Sequence, residues 1–370
     1  MFSKLIEEKL EKAGITINGS KPWDIQVHDK KWYRRVLLEK NLGLGESYMD
    51  GWWDCGQIDE MIHRLLRSGL EDDVTGGLLY RLLSWPAFFL NLQSKARSRI
   101  IAKRHYDLDN DLFFSFLDAN YQYSCGNFDK TDNLDVAQKQ KLSLIARKLN
   151  LSEQDHLLDI GCGWGGLARY AAAEHGCKVT AVNISSPQLQ HARKICEGLP
   201  VDFFDQDYRE ITGRFNKIVS VGMFEHVGKK NYRTFMEVVH RSLTDEGIFL
   251  LHTIGSNLSK ANCDPWINKY IFPNGVLPSL KQISKAVEHL FVMEDVHNLC
   301  PHYDKTLMAW NRNFQKAWPR LQERYDERFK RMWEYYLLSC AGAFRARDIQ
   351  VWQIVFTRHG SGRPRPDCRF

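Results

Sequence analysis

Asp159-Ile160-Gly161-Cys162-Gly163-Trp164-Gly165-Gly166 is the stretch whose residue types could do chemistry. Leu157 and Leu158 lead into it, and Leu167 opens a helical stretch behind it. A strand, a glycine-dense turn and a helix N-terminus form a cradle for a nucleotide-like cofactor, because free N–H groups point at the ligand. Glycine allows positive φ and close approach of a ligand to the backbone. Two cofactors fit this loop. Gly161, Gly163 and Gly166 match the dinucleotide spacing G-x-G-x-x-G. Asp159 directly before a denser G-x-G-x-G-G suits S-adenosylmethionine. Both folds place an acid after the next strand to hold the ribose, and this chain has Asn183 there, with Gln188 five residues on to share the contact. Asp207, at the end of the third expected strand, is placed to hold an adenine amino group or to cap a helix.

The elements that must position these residues alternate. His156–Ile160, Lys178–Asn183, Val201–Asp207, Lys217–Met223 and Gly247–Ile254 read as strands, with Gln350–Thr357 as the last. Segments 132–149, 165–175, 185–197 and 231–243 read as helices. The pattern predicts an α/β fold, a parallel sheet with helices on both faces. Trp318, Leu321, Tyr325, Phe329, Met332 and Tyr336 step by three or four and predict one helix face near the end. Residues 1–75 read as a small α/β domain, in which Phe2, Leu5, Ile6 and Leu10 mark a helix and Trp23–His28 a strand. Residues 105–370 read as the catalytic domain, with a Pro- and Gly-rich lid at about 256–285.

Between them, 76–104 is a linker in which Trp85, Phe88 and Phe89 precede Lys95, Arg97, Arg99, Lys103 and Arg104. Such neighbours suit an anionic membrane surface, where about 1 kcal/mol per basic residue accrues.

The net charge of +6 favours anionic partners and falls short of a nucleic-acid binder. Nine scattered cysteines without a C-x-x-C pair speak against zinc, any other metal, and a disulfide framework, and fit a reducing compartment. Lys4, Glu7, Glu8 and Lys9 are unlike a signal peptide, and the apolar, uncharged run Leu82–Ser94, 13 residues, is too short to span a bilayer. The expected location is the cytoplasm, at the inner face of the membrane.

Three further motifs carry a resemblance: His105-Tyr106-Asp107-Leu108-Asp109-Asn110-Asp111, Tyr121-Gln122-Tyr123-Ser124-Cys125-Gly126-Asn127-Phe128 and Gly222-Met223-Phe224-Glu225-His226-Val227-Gly228. Over roughly residues 100–360 the chain resembles the cyclopropane-fatty-acyl-phospholipid synthases and their mycolic acid relatives. The resemblance implies a Rossmann-like, seven-stranded class I methyltransferase sheet. It implies transfer of a methylene group from S-adenosylmethionine to a cis double bond of a phospholipid acyl chain. The ring would close through a carbocation deprotonated by bound bicarbonate. The carried-over bicarbonate ligands are Cys125, Glu225, His252, Tyr303 and Cys340. Tyr123 and Ser124 fall to the cofactor's carboxylate, the backbone of Gly161, Gly163 and Gly165 to its lining, and Gln188 to its ribose. A homodimer at the membrane surface is implied as well. A lipid C-methyltransferase that leaves the ring open is the neighbouring alternative; a nicotinamide dehydrogenase is disfavoured by Asn183.

Overall fold

A computed structural model describes residues 2–69, 110–259 and 263–360. The apolar–basic segment 76–104 lies outside the described residues, as does His105–Asp109. The strands in chain order are β1 (Gln26–Val27), β2 (Trp53–Asp54), β3 (His156–Ile160), β4 (Lys178–Asn183), β5 (Val201–Asp205), β6 (Phe215–Val221), β7 (Leu243–Ser256), β8 (Phe291–Asn298) and β9 (Ile349–Arg358). Seven of them form one sheet in the order β5-β4-β3-β6-β7-β9-β8. The pairs from β5 through to β7 are parallel, and β8 pairs antiparallel with β9.

Strands buried on both faces read as near-continuous apolar runs, and the sheet's centre does so. Leu157, Val219 and Leu250 pack on one face against Leu142, Ile145 and Leu149 of helix Leu134–Leu149 and Ala168 and Ala171 of helix Gly166–His175. Leu158, Ile218 and Phe249 pack on the other against Phe235, Met236 and Val239 of helix Tyr232–Ser242 and Ile283 and Val287 of helix Leu280–Val287. Each such large side chain contributes about 1.5–3 kcal/mol on burial. Strand order reverses beside β3, so the loops after β3, β4, β6 and β7 flank the crevice where open α/β sheets bind ligands.

β3 and β4 span the expected residues. The third expected strand stops at Asp205 because Asp207 caps a short turn, Tyr208–Glu210. The fourth is shifted to Phe215–Val221, and the fifth extends to Leu243–Ser256. β8 was not legible as a strand: the register slips between Met293 and Asp295, leaving Glu294 as a bulge that breaks the two-residue period. The helix face expected across Trp318–Tyr336 is divided between two helices, Cys300–Leu321 and Glu327–Ala346. Asp326 starts the second by accepting from the Phe329 N–H at 2.8 Å. The strand expected at Trp23–His28 narrows to the two residues of β1.

Of the described residues, those before 91 cluster with 261–273 and 303–349, and the remainder form a second compact unit that holds the sheet. These units cut across the expected 105–370 domain. In the first, helix Glu327–Ala346 lies on helix Ile58–Arg67, so close that a Cβ on Gly342 would meet the Ile62 side chain at 2.9 Å. Arg345 ties them together through Asp59 at 2.7 Å and reaches Asp304 of helix Cys300–Leu321 at 3.0 Å. In the second, Ser256 N–H donates to Pro278 O at 2.9 Å and joins the two ends of the expected lid.

Gly166 opens the helix after the glycine loop, and a Cβ there would collide with the Asn120 carbonyl and approach Gln122 Nε2 to 2.5 Å. Gly166→Ala is expected to destabilise the protein by roughly 1–3 kcal/mol through overpacking, read by thermal or urea unfolding. Unchanged stability would show that the segment over the loop yields freely.

Candidate active site

The glycine loop leaves β3 through Gly161 (φ +85°) and enters the next helix through Gly165 (φ +84°). Both angles suit glycine, and space forbids anything larger. A Cβ on Gly161 would meet Met223 Cβ at 2.8 Å, and one on Gly165 would meet Ala192 Cβ at 2.7 Å. Gly163 at φ +55° lies between them with open space beside it. The loop is thus a bare backbone cradle whose far wall is the N-terminus of helix Gly166–His175.

Asp159, one residue before the end of β3, lies opposite Ala181 of β4 and is 2% exposed. Its Oδ2 has no partner, and burial pushes its carboxyl up to about 7. Asn183, at the tip of β4, donates to Gln188 Oε1 at 2.9 Å and to Gly163 O at 3.3 Å. Asn183, Gln188 and the loop are thereby locked together. Asp207 realises the cap reading: its Oδ1 accepts from Arg209 N–H at 3.0 Å and pairs with Arg209 Nε at 2.9 Å.

The segment Asp118–Phe128 lies against this cradle. Asp118 accepts from the N–H groups of Asn120 and Gln122, each at 2.8 Å, and holds the turn in which Tyr121 takes φ +54°. The Tyr123 ring meets Phe113 edge-on at 5.2 Å, and Phe113 meets the loop's Trp164 at 4.9 Å. Ser124 is buried. Its carbonyl accepts from Gln138 Nε2 at 2.8 Å and its hydroxyl oxygen from Lys141 Nζ at 3.0 Å. The Cys125 thiol is fully buried, donating to Gly126 O at 3.2 Å.

Glu225 sits in the turn Phe224–His226 that follows β6. Its Oε1 accepts from Ile254 N–H at 2.6 Å, while Oε2 is buried without a partner. Burial pushes this carboxyl up to about 7. His252 lies in β7 opposite Val221, 1% exposed. Gln353 of β9 brings its amide to His252 Nδ1 at 3.3 Å, and Nε2 has no partner. With Nδ1 accepting, the ring carries its proton on Nε2. Burial, helped by Lys141 and Lys148, drives His252 down to about 3, so the ring is a neutral hydrogen-bond donor. His226 is also neutral, lowered to about 4 by burial.

One unit therefore gathers Cys125, Glu225 and His252 with every expected cofactor residue. Tyr303 and Cys340 belong to the other unit. There the Tyr303 ring lies 4.4 Å from Phe344, and the Cys340 thiol is raised well above its ordinary range by burial. Sequence reading missed Gln353 and Lys141. The signal for Lys141 was present: Gln138, Lys141 and Lys148 recur in phase with the buried Ala137, Leu144 and Ile145. Among the described residues, no helix is long and apolar enough to cross a membrane.

The family model for mycolic acid cyclopropane synthetase matches residues 93–354. Cyclopropane-fatty-acyl-phospholipid synthase of Escherichia coli (strain K12) is 54% identical over 96% of this chain and 93% of its own length. Among solved structures, the cyclopropane synthase MmaA2 from Mycobacterium tuberculosis superposes with a TM-score of 0.67 at 28% identity, over 73% of this chain and 100% of its own. The mycolic acid cyclopropane synthase CmaA1, solved with S-adenosylhomocysteine (SAH) and CTAB, has a TM-score of 0.65 at 30% identity, over 70% of this chain and 98% of its own. The cradle of β3, the match across both units and these likenesses lead to one conclusion: the chain belongs to the mycolic acid cyclopropane synthetase family.

Proposed function

We propose that this chain is an S-adenosylmethionine-dependent synthase that converts a cis double bond in a phospholipid acyl chain into a cyclopropane ring. The observation that carries the reading is a pair of buried, unpartnered groups, Glu225 Oε2 in the turn after β6 and His252 Nε2 in the neighbouring β7. One accepts and the other donates a hydrogen bond. That pair suits bicarbonate, which has an O–H to give and oxyanion oxygens to receive. The residues present fit both groups, since the loop is a cradle that a Cβ would fill and Asp159 keeps an open oxygen.

Bound S-adenosylmethionine supplies the activated one-carbon unit, and bicarbonate the base for the proton that unit must lose. Gly161, Gly163 and Gly165 line the cofactor; Tyr123, Ser124 and Asp159 hold its methionine end. Asn183 and Gln188 reach the ribose and Asp207 the adenine. Within the sheet unit, Cys125, Glu225 and His252 hold bicarbonate. His252 at about 3 is too weak a base to take the proton itself, so its role is to donate from Nε2. Dry surroundings matter because an isolated alkene is a poor nucleophile and the cation it forms is quenched by water. Aromatic faces near the cation add about 0.5–2 kcal/mol each. The substrate is a membrane lipid, so the enzyme works peripherally at the cytoplasmic membrane face, with 76–104 as the contact and a homodimer as the working form.

Incubation with S-adenosylmethionine and vesicles of cis-unsaturated phospholipid is expected to yield acyl chains one methylene heavier that resist hydrogenation, read by mass spectrometry. Heavier chains that still take up hydrogen would replace ring closure with alkene methylation. His252→Ala is expected to lower turnover by about 100-fold or more while cofactor binding persists; full activity would remove His252 from the site.

Glu225 also predicts a pH effect. Its carboxyl keeps its proton to about 7 when folded and loses it near 4.5 when unfolded, so stability falls as pH rises between those values. Glu225→Gln still accepts from Ile254 and is expected to stabilise the protein above pH 7 by roughly 1–3 kcal/mol, with little effect at pH 4. Denaturant titrations at both pH values decide this, and a destabilised variant at high pH would refute the desolvation argument.

A further inference from the structure

Lys141 has no surface exposed to solvent. Its Nζ donates to the Ser124 hydroxyl oxygen at 3.0 Å and to the Gln122 side-chain carbonyl. Both partners are neutral. Lys141 forms no ion pair among the described residues, and Asp118 and Asp159 act on it through space only. Asp118 is occupied by the N–H groups of Asn120 and Gln122. Asp159 leaves Oδ2 unpartnered. The protein thus buries an ammonium and a carboxyl near one another without pairing them, although a buried ion without a counter-ion is strongly destabilising.

An ammonium has donors and no acceptor, so the Ser124 O–H cannot turn back to Lys141. Engaged as an acceptor on that side, Ser124 presents its proton on the other. The methionine end of S-adenosylmethionine is a zwitterion, carboxylate beside ammonium. A separated Lys141 and Asp159 are its complement.

We infer that Lys141 is the positioning residue for the cofactor's carboxylate: it supplies the counter-charge, aims the Ser124 hydroxyl outward as a donor, and leaves Asp159 for the cofactor's ammonium. This rests on the S-adenosylmethionine reading. Burial lowers Lys141 to about 8, as expected of a cation that waits for its anion.

The test is calorimetric binding of two non-reacting ligands, SAH and its decarboxylated analogue 5′-deoxy-5′-(3-aminopropylthio)adenosine. Wild-type protein is measured first: failure to bind SAH would overturn the cofactor reading itself, and this inference with it. Lys141→Met is then expected to weaken SAH about tenfold or more and the decarboxylated analogue less than about twofold, the loss of one charge-assisted contact. Equal weakening of both would mean a structural role only and overturn the inference. So would unchanged SAH binding with a raised bicarbonate requirement in turnover, which would assign the cation to the other oxyanion.

A wild-type measurement covers a variant that does not fold. The charged and titratable groups facing Lys141 are Asp118, Cys125 and Asp159, with His252 from β7. The α-amine of SAH titrates below the primary amine of the analogue, so the affinity ratio is followed only between about pH 7 and 8.5, where both amines stay largely charged. There the advantage of SAH is expected to shrink about threefold as Lys141 loses its proton. A constant ratio would overturn the inference.

Discussion

Water is kept from polar groups at the carboxyl edge of the sheet, and the rest of the structure depends on that exclusion. Asp159, Glu225, His252 and Lys141 are almost wholly buried, and each has an atom or a charge that the protein leaves unanswered. Burial is the largest influence on their state. The two carboxyls rise toward neutrality, and the imidazole and the ammonium fall toward theirs. A sheet with apolar layers on both faces can carry such strain, because the large clusters around Phe249 and around Leu157 offset it.

Much of this was legible in the sequence, and what was not has particular causes. β3 and β4 are buried on both faces, so their apolar runs end where glycine or a polar tip residue begins, and the edges read cleanly. Asp207 allowed two readings because one carboxylate can cap a turn and face a ligand; the cap is seen. The last helical face kept its period across Gln322–Asp326, since the side chains resume in phase after a turn that periodicity cannot detect. Lysine in a helix is ordinarily solvated, so residue type alone does not mark Lys141 as buried. Only its alignment with Ala137, Leu144 and Ile145 distinguishes it from Lys139, which is exposed.

The candidate site shows a division that sequence order hides. Cys125, Glu225 and His252 come from loops and strand ends of the sheet unit, whereas Tyr303 and Cys340 lie on helices that pack with the N-terminal residues. Within the sheet unit, the Asn120 carbonyl and the Gln122 amide pack directly on Gly166, so the Tyr121–Ser124 segment follows straight from a contact with the glycine loop. A ligand held by Tyr123 or Ser124 is thereby held in register with the loop backbone.

The bulge at Glu294 has a consequence for how molecules meet at high concentration. β8 is an edge strand, and Val292 and Val296 are open to solvent on it. A flat apolar edge of that kind recruits strands from other molecules. Here the ladder is interrupted midway between the two valines, Glu294 is engaged by Thr357, and Asp295 is drawn back to Lys148. The bulge thereby blunts the open edge against strands from other molecules, which favours dispersed copies under crowding.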